Sequence, residues 1–212
     1  MEARKKIILL GGGGHARVLS ELIRMSGEYE IAGILDPQLE SGSHVSGIPV
    51  LGDDELLPAL AAGGINNACI AVGSIRDNGK RKYLYDLVKD LEFHVPSLIH
   101  PRALVSEAGT HISEGVQIMA GAIIQAGSTI GENTIINTGA IIEHDCTIGG
   151  NVHICPGAVV IGGSVIGENS FIGASATVIQ GVTVGRNTVV GAGTVVLRDV
   201  ADGTLLRGTV AG

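Results

Sequence analysis

The chain has 212 residues, 45% of them apolar and 17% charged, and its net charge is -7. This composition suits one packed globular domain or two small ones. The acidic balance, without a long cluster of Lys and Arg, argues against nucleic acid and against an anionic membrane surface as the main partner, so small molecules are the expected partners.

The first 95 residues alternate between strand and helix patterns, which predicts a small Rossmann-like domain with a parallel sheet. In chain order, the predicted strands are KKIILLG, YEIAGILD and NACIAVG, and the predicted helices are HARVLSELIRMSG, DDELLPALAAG and GKRKYLYDLVKDL. The segment FHVPSLIHP then leads into a region of different texture. We therefore expect one domain over residues 1–95 and a second over 96–212.

The start of the chain and its cysteines bear on the compartment. The first apolar run, Ile7 to Leu10, follows a basic flank but is too short for the core of a signal peptide. No stretch approaches the roughly 18 consecutive apolar residues of a membrane span. Cys69, Cys146 and Cys155 lack a CxxC spacing, which fits packed, reduced thiols. A cytoplasmic location is therefore expected.

A glycine-rich segment, GGGGHA, joins the first predicted strand to the first helix. It matches G-x-G-x-x-[GA], and Asp36 ends the second strand 20 residues after Ala16. Glycines permit close backbone approach, a helix N-terminus offers free N–H groups to a phosphate, and the acid takes hydroxyls. The pattern predicts a mononucleotide or nucleotide-sugar site. A tight turn without a ligand is the alternative.

The second region repeats with a period of six. Aliphatic β-branched residues occupy fifteen successive positions at this step: Ile112, Ile118, Ile124, Ile130, Ile136, Ile142, Ile148, Ile154, Val160, Ile166, Ile172, Val178, Val184, Val190 and Val196. Gly131, Gly149 and Gly167 directly follow such a residue, where we expect the free φ of glycine to serve a tight corner. Strands this short cannot bury an apolar side alone, but rungs stacked about 4.8 Å apart bury a continuous column.

This hexapeptide repeat resembles the left-handed parallel β-helix of the hexapeptide acyltransferases. The resemblance implies 18-residue coils, about six of them, after the Rossmann-like domain. A purely structural solenoid is the alternative. An ice-binding solenoid would repeat threonine at one outward position, a pattern that we do not expect here.

The order of the two regions resembles the sialic acid O-acetyltransferase (NeuD) and PglD-like sugar acetyltransferases. The most specific matching segments are GGGGHA, AVGSIRDNGKR, LIHPRALV and IIEHDC. The resemblance implies transfer of an acetyl group from acetyl-CoA to an amino or hydroxyl group of a sugar, often a UDP- or GDP-linked amino sugar, in the synthesis of bacterial surface glycans. It also implies a homotrimer. The chain ends at RGTVAG, where relatives often continue, so we expect part of a CoA-binding tail to be missing from it.

The same resemblance implies a set of functional residues. His144 is the catalytic base, Asp145 its orienting acid, His153 a contact to acetyl-CoA, and Gly162 the backbone amide that polarises the thioester carbonyl. Asp145 is one methylene shorter than the Glu that the family commonly has there, which leaves open whether it reaches the ring. The implied nucleotide-sugar site consists of Gly14, His15, Asp36, Gly73 and Arg81. For His15, helix capping and substrate contact are equal alternatives.

The spacing supports this assignment. Gly162 follows His144 by 18 residues, which predicts one coil higher on the same edge. Cys146 is four places after Ile142, at an inward position, so we expect it to pack while His144 faces solvent. His153 is nine residues from His144, half of a coil, which predicts opposite sides of the prism and a site shared between chains.

We therefore expect an acetyl-CoA-dependent N-acetyltransferase of a nucleotide-linked amino sugar that needs no metal. O-acetylation of a sialic-acid-type sugar and non-catalytic binding of a nucleotide sugar are the alternatives. A carbonic anhydrase-like metalloenzyme would need converging imidazoles with a close-spaced pair. His111, His144 and His153 do not contain such a pair.

Overall fold

The computed structural model describes residues 4–74 and 76–208. The chain divides into two units, the first comprising Met1–Gly73 and Lys80–Leu98 and the second Ser74–Gly79 and Ile99–Gly212. The sequence boundary at residues 95 and 96 did not anticipate that the segment Ser74–Gly79 groups with the repeats. The last four residues of the RGTVAG ending lie outside the described residues.

The first unit contains a five-stranded sheet with the strand order β3-β4-β2-β1-β5. Its elements are β1 (Lys5–Leu10), α1 (Gly14–Ser26), β2 (Tyr29–Leu35), β3 (His44–Val45), β4 (Ile48–Gly52), a 3-10 turn (Asp54–Leu56), α2 (Leu57–Ala62), β5 (Asn67–Ile70) and α3 (Gly79–Asp90). All strand pairs are parallel except β3 and β4. The predicted strands and helices are confirmed. The hairpin of β3 and β4 was missed.

The hairpin turn explains that omission. Ser46 and Gly47 join β3 to β4 with φ of 50° and 78°, the left-handed pair of a two-residue turn that matches the twist of its strands. The Ser-Gly pair was the available signal, but β3 is too short to show an alternating pattern.

The central strand β1 and helix α1 supply much of the core. Ile7, Ile8, Leu9 and Leu10 are fully buried, as expected of a parallel strand covered on both faces. Helix α1 ends at Gly27, whose φ of 71° gives the left-handed cap that terminates a helix. These elements bring the glycine-rich segment to the carboxyl edge of the sheet.

The second unit is a left-handed parallel β-helix. Its three faces, called here the first, second and third face, contain seven, six and five strands. The first face has β6 (Leu98–Ile99), β9 (Gln117–Ile118), β12 (Ile135–Ile136), β15 (His153–Ile154), β18 (Phe171–Ile172), β21 (Val189–Val190) and β23 (Leu205–Leu206). The second has β7 (Leu104–Val105), β10 (Ile123–Ile124), β13 (Ile141–Ile142), β16 (Val159–Val160), β19 (Thr177–Val178) and β22 (Val195–Val196). The third has β8 (His111–Ile112), β11 (Thr129–Ile130), β14 (Thr147–Ile148), β17 (Val165–Ile166) and β20 (Thr183–Val184).

Adjacent coils pair in a register of 18 residues, as in Ile142 with Val160. The second residue of nearly every strand points inward, and these aliphatic side chains form one continuous core. The prediction of about six coils around a column of Ile and Val is therefore confirmed.

The predicted reason for Gly131, Gly149 and Gly167 was wrong. None of them has a positive φ. A Cβ on Gly131 would instead lie 2.5 Å from the backbone nitrogen of Gly150 in the next coil. These glycines are required by the close approach of stacked backbones.

The left-handed corners lie two residues further on, for example at Gly127, Asn133 and Gly139, with φ of 72°, 53° and 66°. At one edge of the prism the corner residue is asparagine in successive coils. Asn133 Nδ2 donates to Asn151 Oδ1 at 2.9 Å, and Asn151 Nδ2 donates to Asn169 Oδ1 at 2.8 Å. The amide ladder stabilises that edge through side-chain hydrogen bonds.

The outward positions differ between faces. On the second face they are mostly aliphatic: Leu104, Ile123, Ile141, Val159, Thr177 and Val195. On the third face they are exposed and threonine-rich: His111, Thr129, Thr147, Val165 and Thr183. Threonine thus recurs on the third face, which was not expected, although Val165 interrupts the series.

Candidate active site

His144 and Asp145 lie at the corner that follows β13 and precedes β14, between the second and third faces. His144 Nδ1 is 2.8 Å from Asp145 Oδ2, and the side chains are 58% and 70% exposed. Asp145 therefore reaches the ring despite its shorter side chain. Because an ionised carboxylate only accepts hydrogen bonds, Nδ1 carries the proton and Nε2 presents a lone pair to solvent.

Gly162 lies one coil above His144 on the same edge, as the spacing predicts. The N–H of Gly163 donates to the carbonyl of His144 at 2.9 Å. A Cβ on Gly162 would lie 2.5 Å from His144 Nε2 and 2.7 Å from Cε1, so the imidazole rests against a bare Cα. Within the described part of the chain, the Gly162 N–H has no acceptor. The edge thus brings together a base and a free amide donor, the pair required for acyl transfer.

His153 lies on the first face, in β15, and is 6% exposed. Its Nδ1 is 2.7 Å from Ser74 Oγ, its Nε2 is 3.0 Å from Asn137 Nδ2, and its ring meets Phe171 edge-on at 5.3 Å between centroids. The first face is opposite the corner that holds His144, so one chain does not bring the two histidines together. The predicted contact of His153 with acetyl-CoA stays a prediction.

The segment Ser74–Gly79 lies against the first face and is held at both ends. Ser74 bonds to His153, and Asn78 Nδ2 donates to the carbonyls of Asn151, Asn169 and Ser170 at 2.8, 3.2 and 3.2 Å. Sequence reasoning missed this role. Its signal was a pair of small polar residues, Ser74 and Asn78, flanking a charged tripeptide end.

A cavity of about 420 Å³ adjoins this segment. Its walls come mainly from the first face and from the corner residues of three successive coils: Cys155, Pro156, Phe171, Gly173, Ala174, Val189, Gly191, Ala192, Leu205 and Gly208. Two arginines, Arg76 and Arg207, also line it. Apolar walls with guanidinium groups suit an elongated ligand that has an apolar arm and a phosphate. Sequence reasoning did not find this cavity.

The cysteines are buried, as predicted. Burial raises the pKa of the Cys155 thiol and of the Cys69 thiol to about 12, and it also raises the pKa of Cys146. All three thiols are therefore protonated near neutral pH, and a thiolate nucleophile is not available.

In the first unit, Asp36 ties the glycine-rich segment to the end of β2. Its Oδ2 accepts the N–H of Gly12 at 2.8 Å, and its Oδ1 accepts the N–H of Gln38 at 2.9 Å. Gly13 is the N-cap of α1 and forms no side-chain cap. A Cβ on Gly13 or Gly14 would meet nothing within 4 Å. The start of the helix is therefore open to an anionic group.

His15 is the second residue of α1, and a Cβ on Gly73 would lie 3.6 Å from its Cβ. Gly73 follows β5, so these two predicted site residues are neighbours. Arg81 points elsewhere. It is 2% exposed and donates from one guanidinium nitrogen to the carbonyls of Ile70 and Val72 at 3.0 and 2.7 Å. Its burial lowers the pKa of Arg81 to about 10, which still leaves it charged. A direct sugar contact by Arg81 stays a prediction.

A small pocket at the carboxyl edge of the sheet is lined by Gly11, Leu35, Asp36, Pro37, Asp54, Val72, Lys80 and Leu84. Asp54 and Lys80 were not predicted. Burial raises the pKa of Asp54, and the nearby Lys80 opposes that shift. The pocket therefore combines both signs of charge with the acid of the glycine motif.

Two further results concern metals and membranes. No group of three His, Cys, Asp or Glu side chains is arranged to hold a metal ion within residues 4–74 and 76–208. In the same ranges, no helix has the length and apolar character to cross a membrane.

Comparison with known proteins follows this division of the chain. The PglD N-terminal domain matches residues 6–88, the bacterial transferase hexapeptide repeats match 109–143 and 127–162, and the hexapeptide repeat of succinyl-transferase matches 163–198. The structure is similar to that of PerB from Caulobacter crescentus in complex with CoA and GDP-perosamine. The identity is 43% over 96% of this chain and 94% of that chain, with a TM-score of 0.87. The chain belongs to the NeuD/PglD-like family of hexapeptide transferases.

A second member of this family gives a similar match. The acetyltransferase domain of PglB from Neisseria gonorrhoeae, in complex with acetyl coenzyme A, is 39% identical over 99% of this chain and 97% of that chain, with a TM-score of 0.87. A mutant of the Caulobacter crescentus perosamine N-acetyltransferase with CoA and GDP-perosamine is 42% identical over 96% and 93% of the two chains, with a TM-score of 0.88. The comparison with curated proteins gave no match.

Proposed function

We propose that this protein transfers an acetyl group from acetyl-CoA to the amino group of a nucleotide-linked amino sugar. The observation that carries the proposal is the edge of the prism where His144 Nε2 is free and the Gly162 N–H has no acceptor within the described chain. Support comes from two relatives, one in complex with CoA and GDP-perosamine and one with acetyl coenzyme A.

The reaction follows from these two groups. The sugar nitrogen attacks the thioester carbon, and His144 Nε2 takes the proton that the nitrogen loses. The Gly162 N–H donates to the oxygen that becomes negative in the tetrahedral intermediate. The C–S bond then breaks, an amide remains on the sugar, and the imidazolium returns its proton to the CoA thiolate. General-base help is typically worth about 10²- to 10⁴-fold.

Asp145 has the orienting role in this scheme. Its bond to Nδ1 holds the ring in the tautomer that leaves Nε2 unprotonated. As His144 becomes cationic, the carboxylate also stabilises it electrostatically. Protein groups supply each of these roles, so the scheme routes no step through a metal.

We place acetyl-CoA along the cavity of the first face. Its length over three coils fits a pantetheine arm, and Arg76 and Arg207 fit phosphate groups. His153 lies two residues before Cys155, which lines the cavity, so a contact between this histidine and the acetyl end of the ligand is consistent with its position.

We place the nucleotide sugar on the first unit. The open N-terminus of α1 at Gly13 and Gly14 would receive the diphosphate, and the pocket beside Asp36 would receive the nucleoside. His15 and Gly73 adjoin the same loop, where they would contact the sugar. Because Arg81 holds the carbonyls at the end of β5, we assign it the positioning of the Gly73 loop.

The proposed assembly is a homotrimer. His144 and His153 lie on opposite sides of one prism, so a site that uses both requires two chains. The aliphatic outward positions of the second face, with Leu104 57% exposed, offer an apolar surface for a second copy. In a cyclic trimer every interface is heterologous, and three identical sites result. A cytoplasmic location stays a prediction.

The test is a thiol-release assay with acetyl-CoA and three acceptor classes, namely GDP-linked amino sugars, UDP-linked amino sugars and free sialic acid. We expect release with at least one nucleotide-linked amino sugar and an added mass of one acetyl group on its nitrogen. Release with sialic acid alone would replace N-acetylation by O-acetylation. Binding of acetyl-CoA by calorimetry, without release for any acceptor, would favour a non-catalytic role.

A further inference from the structure

The corner that contains Asp145 recurs in five coils of the described chain. Its residues are Gly109, Gly127, Asp145, Gly163 and Gly181, with φ of 70°, 72°, 59°, 69° and 71°. Four are glycine, which adopts this left-handed conformation without steric cost. Asp145 is the exception, and its Cβ incurs a cost that the fold avoids at the other four coils. The residue type at this one corner is therefore set by chemistry.

Gly127 lies directly below Asp145 in the stack. A Cβ on Gly127 would overlap Asp145 Oδ1 and would lie 3.4 Å from its Cγ. The carboxylate thus leans over the bare Cα of Gly127, with Oδ1 above that glycine and Oδ2 on His144 Nδ1. Since Gly162 leaves the space for the imidazole, the dyad is fitted between two glycines in neighbouring coils.

We propose that Gly127 is a positioning residue for the reaction. Its missing side chain keeps Asp145 in the one orientation that reaches His144 and so keeps the proton on Nδ1. The part that concerns catalysis rests on the proposed function. The part that concerns the imidazole tautomer does not.

The chain provides a matched control. Gly127→Ala and Gly181→Ala place the same methyl group on the same edge at nearly the same φ, but the new Cβ at Gly181 would meet nothing within 4 Å. Both variants therefore incur the backbone strain, and only Gly127→Ala displaces the carboxylate. We expect kcat of Gly127→Ala to fall about 10- to 100-fold below that of Gly181→Ala, with the KM for acetyl-CoA the same in both.

A second measurement does not depend on activity. In ¹⁵N spectra of the imidazoles, assigned with His144→Gln, the wild type and Gly181→Ala should show His144 protonated at Nδ1. In Gly127→Ala the two ring nitrogens should move towards a mixture of tautomers. If Gly127→Ala matches Gly181→Ala in both kcat and the spectrum, the proposal is overturned.

Two other outcomes are also decisive. If the wild type acetylates no acceptor, the proposed function fails, while the spectra still decide the role of Gly127. If Gly127→Ala does not fold although Gly181→Ala does, it should be combined with Asp145→Gly. Recovery of folding in that double variant would support the collision with the carboxylate, and no recovery would refute it.

Discussion

Ser74 Oγ lies 2.7 Å from His153 Nδ1 and fixes the imidazole on the first face of the β-helix. The same segment carries Arg76, which lines the elongated cavity, and ends at Asn78, which holds three carbonyls of the prism. A short stretch between β5 and α3 therefore positions both a histidine and an arginine of the proposed acetyl-CoA site.

Ser74→Ala tests this relationship. Loss of the hydroxyl frees the His153 ring and loosens the segment that holds Arg76, so we expect a several-fold increase in the KM for acetyl-CoA with a smaller change in kcat. Ser41→Ala, which removes an exposed hydroxyl of the first unit, is the control. Equal KM values for the two variants would remove Ser74 from the acetyl-CoA site.

His144→Ala should lower kcat by at least about 10²-fold, because it removes the base. The affinity for acetyl-CoA, measured by calorimetry, should stay close to that of the wild type, since the cavity is on another face. Asp145→Asn should cost less, because an amide weakens the orientation of the ring but leaves the base in place. A His144→Ala enzyme that keeps half of its turnover would contradict the mechanism.

Asp36→Ala should raise the KM for the nucleotide sugar and leave that for acetyl-CoA unchanged. The carboxylate holds the N–H of Gly12 and borders the proposed nucleoside pocket, so its removal affects the first unit alone. Steady-state kinetics with each substrate varied in turn provides the measurement. Comparable increases in both KM values would argue against two separate binding units.

Cys155→Ala should keep kcat within about twofold of the wild type, because a thiol without activation cannot serve as a nucleophile. The pKa of the Cys155 thiol is raised to about 12 by burial, so the thiol stays protonated at every pH below that value. Mass spectrometry of the wild type after mixing with acetyl-CoA alone should show no acetylated enzyme. Accumulation of an acetyl group on Cys155 would require a covalent mechanism.

Mixed assembly tests the proposed trimer. Two inactive proteins, His144→Ala and His153→Ala, should regain activity when they are unfolded together and refolded. With random mixing, about one interface in four pairs an intact His144 with an intact His153, which gives roughly a quarter of wild-type activity. Native mass spectrometry should confirm that mixed trimers form. Mixed trimers as inactive as the parents would exclude a site shared between chains.

The periodic parts of this molecule were readable from the sequence because one physical rule repeats. Every sixth residue is a β-branched aliphatic that must point inward, so the number of coils, the inward position of Cys146 and the stacking of Gly162 over His144 all followed. The same repetition gave the wrong reason for Gly131. A sequence records where glycine is needed, but it does not separate a positive φ from a close approach of the neighbouring backbone.

The unpredicted parts depend on contacts between residues far apart in the chain. Asn78 meets Asn151 across 73 residues, and Asn137 meets His153 across the stack. No local pattern encodes such pairs. Arg81 shows the opposite problem, since a charged residue in a family motif suggested a ligand, whereas here its guanidinium satisfies buried carbonyls. The cavity was missed because it is made of small residues that have no chemistry of their own.

The register of 18 residues has a consequence for changes in chain length. His144 and Gly162 face each other because one full coil separates them, so inserting or deleting a few residues between them would move the amide to another edge. Inserting a whole coil there would keep the edge but would separate the two groups by about a further 4.8 Å. Beyond Gly191 the same insertion would only lengthen the prism. The coil from His144 to Gly162 is therefore of fixed length, while the end of the solenoid is free to grow or shrink by whole turns.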